Sequence, residues 1–192
     1  MGQPNNIFGP SGGPPALRDG AFPFNMTANG NFQVKASAGI LQRLNVGTAG
    51  TTSSAAFYDG LSAVVTVTLA SPGVFTWQKH GFVGGEAVEF TTTGALPTGL
   101  TAGTIYYVAK DANLTTNTFA VSDTKAHALA GTNQVNTSGS QSGVHTGWNV
   151  NVPIGNYSTT AQASPEIGAY FAQGLIAIAA GGAAANITAL YN

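Results

Sequence analysis

The chain has 192 residues and a formal net charge of -1, and only 7% of it is charged against about 25% in an average soluble domain. Six scattered cations exclude a phosphate-backbone partner, because binding by counterion release needs Lys and Arg in clusters. The absence of cysteine excludes disulfides, thiolate metal sites and thiol nucleophiles. Such a length suits one large core or two small ones, and two are expected.

The opening MGQPNNIFGPSGG has neither the cationic leader nor the apolar core of a signal peptide, so export is not indicated. Residues 1–33 hold Pro4, Pro10, Pro14, Pro15 and Pro23 among several glycines, a density that defeats helix and central strand. An extended N-terminal arm is expected there. Its Ile7, Phe8, Leu17, Phe22, Phe24 and Met26 are unusual for a solvated linker. A disordered terminus and an arm docked on a neighbouring subunit both fit.

From Phe32 to Val46 the pattern is strand-like, with Ile40, Gln42, Leu44 and Val46 opposed to Leu41, Arg43 and Asn45. AAFYDG then predicts a short aromatic strand ending in the tight-turn pair Asp59-Gly60. Val65, Val67 and Leu69 alternate with Thr66 and Thr68. Short runs follow at VFTW, AVEF, IYYVA and TFAVS, each bounded by Gly, Pro, Asn or Asp, which predicts compact antiparallel structure. Ala126 to Ala130 suits a brief helical turn or an edge strand.

Trp148, Val150 and Val152 share one face of a half-buried strand that Pro153 ends. No charge occurs from Ile167 to Asn192, a length that raises a membrane span, but Gln173, Gly174, Gly181, Gly182 and Asn186 interrupt it. AYFA and LIAIAA are placed as strands, with an Ala-rich helix as the alternative, and NITALYN as a closing strand. The expected fold is all-β. It is a small discontinuous antiparallel β-sandwich of jelly-roll or Ig-like size, residues 34–63 plus 147–192, with an inserted β-rich module at 64–146 and the arm at 1–33.

The string VTVTLASPGVFTWQKHGFVGGEAVEFTTTGALPTGLTAGTIYYVAK, continuing to NTFAVS and NTSGSQSGVHTG, resembles a β-module that recurs in tailed-bacteriophage virion proteins. FTTTGALPTGLTAGTIYYV is its most specific part. The flanks LQRLNVGTAGTTSSAAFYDG and ANITALYN are similar, more loosely, to a small β-sandwich of phage head-decoration proteins. The resemblance implies a non-enzymatic structural protein of the virion, most simply a decoration or cement protein on the outer surface of the head. Its partners would be the major capsid protein or other virion proteins, and it would be a homo-oligomer on the particle. No nucleic acid, membrane or cofactor is implied. The alternative is a tail-fibre or baseplate component that binds host glycans through the module.

The residues themselves offer no catalytic constellation. GPSGG at 9–13 fits the nucleophile-elbow pattern, but prolines surround Ser11 where a strand and a helix are required. His80, His127 and His145 follow no metal-ligand spacing, and no metal site is expected. Glu86 and Glu89, three apart, face opposite sides of a strand and read as a solvated edge. Capsid contact is therefore assigned to Ile7, Phe8, Leu17, Phe22, Phe24 and Met26. Exposed contacts on the module are assigned to Trp77, His80, Tyr106 and Tyr107, since alternating rings form either a core or a carbohydrate platform.

Overall fold

A computed structural model describes residues 21–192. Its first body is built from β1 (Phe22–Met26), β2 (Gly30–Lys35), β3 (Gly39–Thr48) and β4 (Ser54–Asp59), then β12 (Val152–Ser158), β13 (Glu166–Phe171), β14 (Leu175–Ala180) and β15 (Asn186–Tyr191). β1 pairs with β15, β2 with β14, β3 with β13 and β4 with β12, all antiparallel. These pairings describe one long hairpin whose tip lies between β4 and β12. Two more, β3 with β15 and β4 with β14, wrap it into a first sheet β1-β15-β3-β13 and a second sheet β12-β4-β14-β2. A hairpin wrapped in this way is a jelly roll.

The expected discontinuous sandwich is thus present, and its core lies between the sheets. Met26, Leu41, Leu44, Val46 and Ile187 come from the first sheet, and Val34, Phe57, Leu175 and Ala177 from the second. Leu41 lies on the same face as Leu44 although the two are three apart in β3. The pairing with β15 skips Gln42, and such a bulge turns the strand by one position. The simple alternation expected across residues 40–46 is interrupted for that reason.

The insertion occupies the tip of the hairpin. It contains β5 (Ser62–Val67), β6 (Phe75–Thr76), β7 (Ala87–Thr92), β8 (Ile105–Val108), β9 (Thr118–Phe119), β10 (Val121–Ser122), helix α1 (Lys125–Ala130) and β11 (His145–Asn149). Its strands run in the order β10-β8-β7-β11-β5-β6-β9. Only Ala120 separates β9 from β10, so residues 118–122 form one bent strand that pairs with β6 on one side and β8 on the other. The two ends of the sheet are therefore the same strand, and the sheet closes into a small barrel without free edges. Thr124 caps the start of α1 by accepting from the His127 N–H, and Gly131, at φ 65°, ends it.

Two boundaries differ from expectation. Phe22, Phe24 and Met26 belong to β1, not to an arm: β1 forms an edge of the first sheet, Met26 is fully buried and Phe24 packs against the core. Pro23 is tolerated there because an edge strand can spare a backbone donor. Trp148 belongs to the barrel strand β11, and the jelly roll resumes at Val152. Ile7, Phe8, Leu17 and the GPSGG pattern lie outside the described residues. No helix among the described residues is long and apolar enough to cross a membrane, and the uncharged stretch after Ile167 is built from β13, β14 and β15.

Candidate functional site

Of the rings assigned to an exposed module surface, Trp77 and Tyr106 lie inside the barrel. Trp77 is 6% exposed and Tyr106 7%, because a barrel this narrow has to be filled by its own side chains. Phe75 stacks between Phe90 at 4.3 Å and Phe119 at 5.4 Å, and Trp77 meets Phe82 edge-on at 5.4 Å. The Tyr106 hydroxyl accepts from the Thr101 N–H at 2.9 Å, which ties the loop before β8 to the core. Tyr107, on the other face of β8, is half-buried. Trp77 and Tyr106 therefore offer no flat face for a carbohydrate, since their rings are covered by the barrel core.

His80 makes local hydrogen bonds. The Phe82 N–H donates to Nδ1 at 2.9 Å, so the ring proton sits on Nε2, facing the Thr118 carbonyl at 3.3 Å. Burial is the main reason its pKa falls below the usual imidazole value, and it outweighs the opposing hydrogen bond to Thr118 and the Glu86 charge. Beside it lies an open cleft of about 390 Å³ lined by Lys79, Gly81, Phe82, Leu114, Thr115 and Thr116. This cleft is on the β6/β9 side of the barrel, across the ring from β7 and β11. Among the described residues no three His, Asp or Glu side chains converge on a common metal position.

A set of specific contacts lies at and beside the junction between the two bodies. The Asp59 carboxylate, at the end of β4, accepts from the N–H groups of Ala172 and Gln173 at 2.7 Å and of Gly174 at 3.3 Å. Gln33 spans from β2 to the start of the insertion, donating to the Lys35 carbonyl at 2.6 Å and accepting from the Ser62 N–H at 2.6 Å. Asn149 accepts from the Asn151 N–H, and Asn151 in turn accepts from the Ala87 N–H. Gly60 runs so close to the Asn149 carbonyl that a Cβ there would collide with backbone, which is why this turn carries glycine.

An apolar layer completes the junction. Trp148, Val150 and Ile176 are buried together, with Tyr58, Ala87 and Ile178 packed against them. Ile176 and Tyr58 lie on the outer face of the second sheet, so the barrel rests on that face. No family model, curated protein or solved structure matches the chain.

Glu89 sits in the same layer. It is 6% exposed and projects from β7 between the inward-facing Val88 and Phe90, opposite Trp148. Its Oε1 accepts from Asn31 Nδ2 on β2 at 2.8 Å. Burial pushes its pKa up, the Asn31 hydrogen bond only partly opposing this, and its charge adds to the rise at Tyr58. The solvated edge expected for Glu89 is thus replaced by an interface between two sheets. Glu86 is used locally, accepting from the Val83 and Gly84 N–H groups at 2.8 Å. Period-two alternation put Glu89 on the face opposite Glu86, but no local signal carried that a second body lies against that side.

Proposed function

We propose that the chain is a non-enzymatic structural protein of a tailed-phage virion, a decoration or cement protein on the outer surface of the head. The observation that carries this reading is the docking of a complete closed barrel on the second sheet of the jelly roll, through an apolar layer and a hydrogen-bonded crossing. Such a joint makes a stiff building block. Jelly rolls serve viral shells and also lectins and other folds, so the architecture supports the role without specifying it. The resemblance of residues 64–146 to a recurring virion module supplies the rest.

The barrel packs on the middle of the second sheet, at Tyr58, Ile176 and Ile178, and on this reading the first sheet faces the shell. An exposed ring lies on the outer face of its edge strand β13, Tyr170 at 67%, whereas the exposed Phe22 of β1 shares the core-facing side with Phe24 and Met26. Residues 1–20, with Ile7, Phe8 and Leu17, lead into β1 at the same sheet. Each copy would bury a modest apolar area, at about 25 cal/mol per Å², and many copies around capsomers would stabilise the shell by multivalency. Purified protein added to heads that lack it is expected to bind saturably at capsomer positions and to raise the temperature at which the shells open. Heads that take up none, under conditions where tails do, would overturn the assignment.

A second reading, glycan recognition by a tail component, has one observation in its favour. The cleft at Lys79, Phe82, Leu114, Thr115 and Thr116 is within the usual size range of ligand sites, roughly 300–1,000 Å³, and lies away from the jelly roll. On that reading the full chain binds host-surface glycan saturably and Lys79→Ala weakens binding by about tenfold, the loss of one charged hydrogen bond. An unchanged isotherm for the variant would remove the cleft from consideration.

A further inference from the structure

Glu89 is a carboxyl buried between two bodies with no cation to answer it. On β2, Asn31 faces it with a neutral amide, and Lys35 of the same strand is turned away to the Ala38 and Asn192 carbonyls. On β4 it faces Tyr58, while the neighbouring Asp59 carboxylate is committed to the 172–174 turn. The residues beside it in the barrel are Ile105 on β8 and Trp148 on β11, both uncharged. On its own strand side, Glu86 is held by the Val83 and Gly84 N–H groups. Among the described residues, every charged group near the joint is thus either acidic or engaged elsewhere.

An ionised carboxylate enclosed this way is disfavoured, and the only routes to relief are protonation or exposure to water. The second sheet covers it on the Asn31 and Tyr58 side and the 101–104 turn of the barrel approaches Oε1 on the other, so parting the two bodies is one way to expose it. We propose that Glu89 is an acid-operated latch: the protonated carboxyl holds the barrel on the second sheet, and the ionised carboxylate loosens it. The direction follows from linkage. Undocked, Glu89 titrates near the ordinary glutamate value of about 4.3, whereas docking favours its protonated form. The docking contribution is therefore complete below that range and is lost as pH rises through the raised value of the docked state.

The chain has no native cysteine, so a labelled pair can be introduced cleanly, Thr116→Cys on the far side of the barrel and Asn156→Cys on β12. Spin labels at these positions of the full chain report the distance between the bodies by pulsed dipolar spectroscopy. At about pH 4 a single narrow distance is expected, with a second, broader population growing severalfold by about pH 8. Glu89→Gln keeps an oxygen for Asn31 and removes the charge, and is expected to stay narrow at every pH. Identical distributions for the two proteins across the range, or broadening toward acid, would overturn the latch. Should the Gln variant fail to fold, the unmodified protein alone decides: a pH-invariant distribution contradicts the proposal.

Discussion

Removing residues 1–20 is expected to leave a protein with a cooperative unfolding transition and intact strand content, while removing residues 1–30 abolishes the jelly roll. All the described strands begin at or after Phe22, so the shorter deletion spares them. The longer one removes β1, whose five residues pair with β15, together with the fully buried Met26 and the Phe24 ring that meets Phe32 at 5.9 Å. Emptying a buried Met site alone costs about 2–5 kcal/mol, and the unpaired edge of β15 adds to it. Against a typical domain stability of about 5–15 kcal/mol, that loss is decisive. Circular dichroism and thermal unfolding of both proteins check the result; a folded 31–192 fragment would contradict the place given to β1.

Phe75→Ala is expected to destabilise the barrel by about 3–5 kcal/mol. Phe75 is 1% exposed and stacks on Phe90 and Phe119, with interplanar angles of 10° and 11°. It lies where β6 joins the ring between β5 and β9, so the cavity opens at the point of closure. Denaturant unfolding followed by fluorescence of Trp77, a core neighbour, reports the change. A loss below about 1 kcal/mol would show that these rings do not fill a closed interior.

The strands of the barrel were legible because each short run carried its own turn signals. Their closure was not: it depends on residues 118–122 pairing on both sides, and no local pattern encodes that. For the same reason Trp77 and Tyr106 left both core and platform open, and the closed ring places them in the core. LIAIAA left strand and helix open because it is apolar on both faces. The structure explains why, since Leu175, Ala177 and Ala179 face the sandwich core while Ile176 is covered by the barrel.

At the N-terminal side, proline density argues against helix and central strand and suggests an arm to residue 33, but β1 and the start of β2 lie there as edge strands, where the donor missing at Pro23 costs little. WNVNV read as one strand and is two, β11 and β12, with Asn149 and Asn151 turned to the crossing between them. Glu89 was legible as a side chain and illegible as a site. Its burial comes from Asn31 and Tyr58, distant in sequence, meeting it across the joint.

The most direct measurement is cryo-electron microscopy of phage particles that carry this chain. The account predicts density on the head shell, with the first sheet of the jelly roll against the capsid, residues 1–20 in contact with capsomers and the barrel on the outer side. Density at the tail, or a head-bound copy whose barrel faces the capsid, would contradict it.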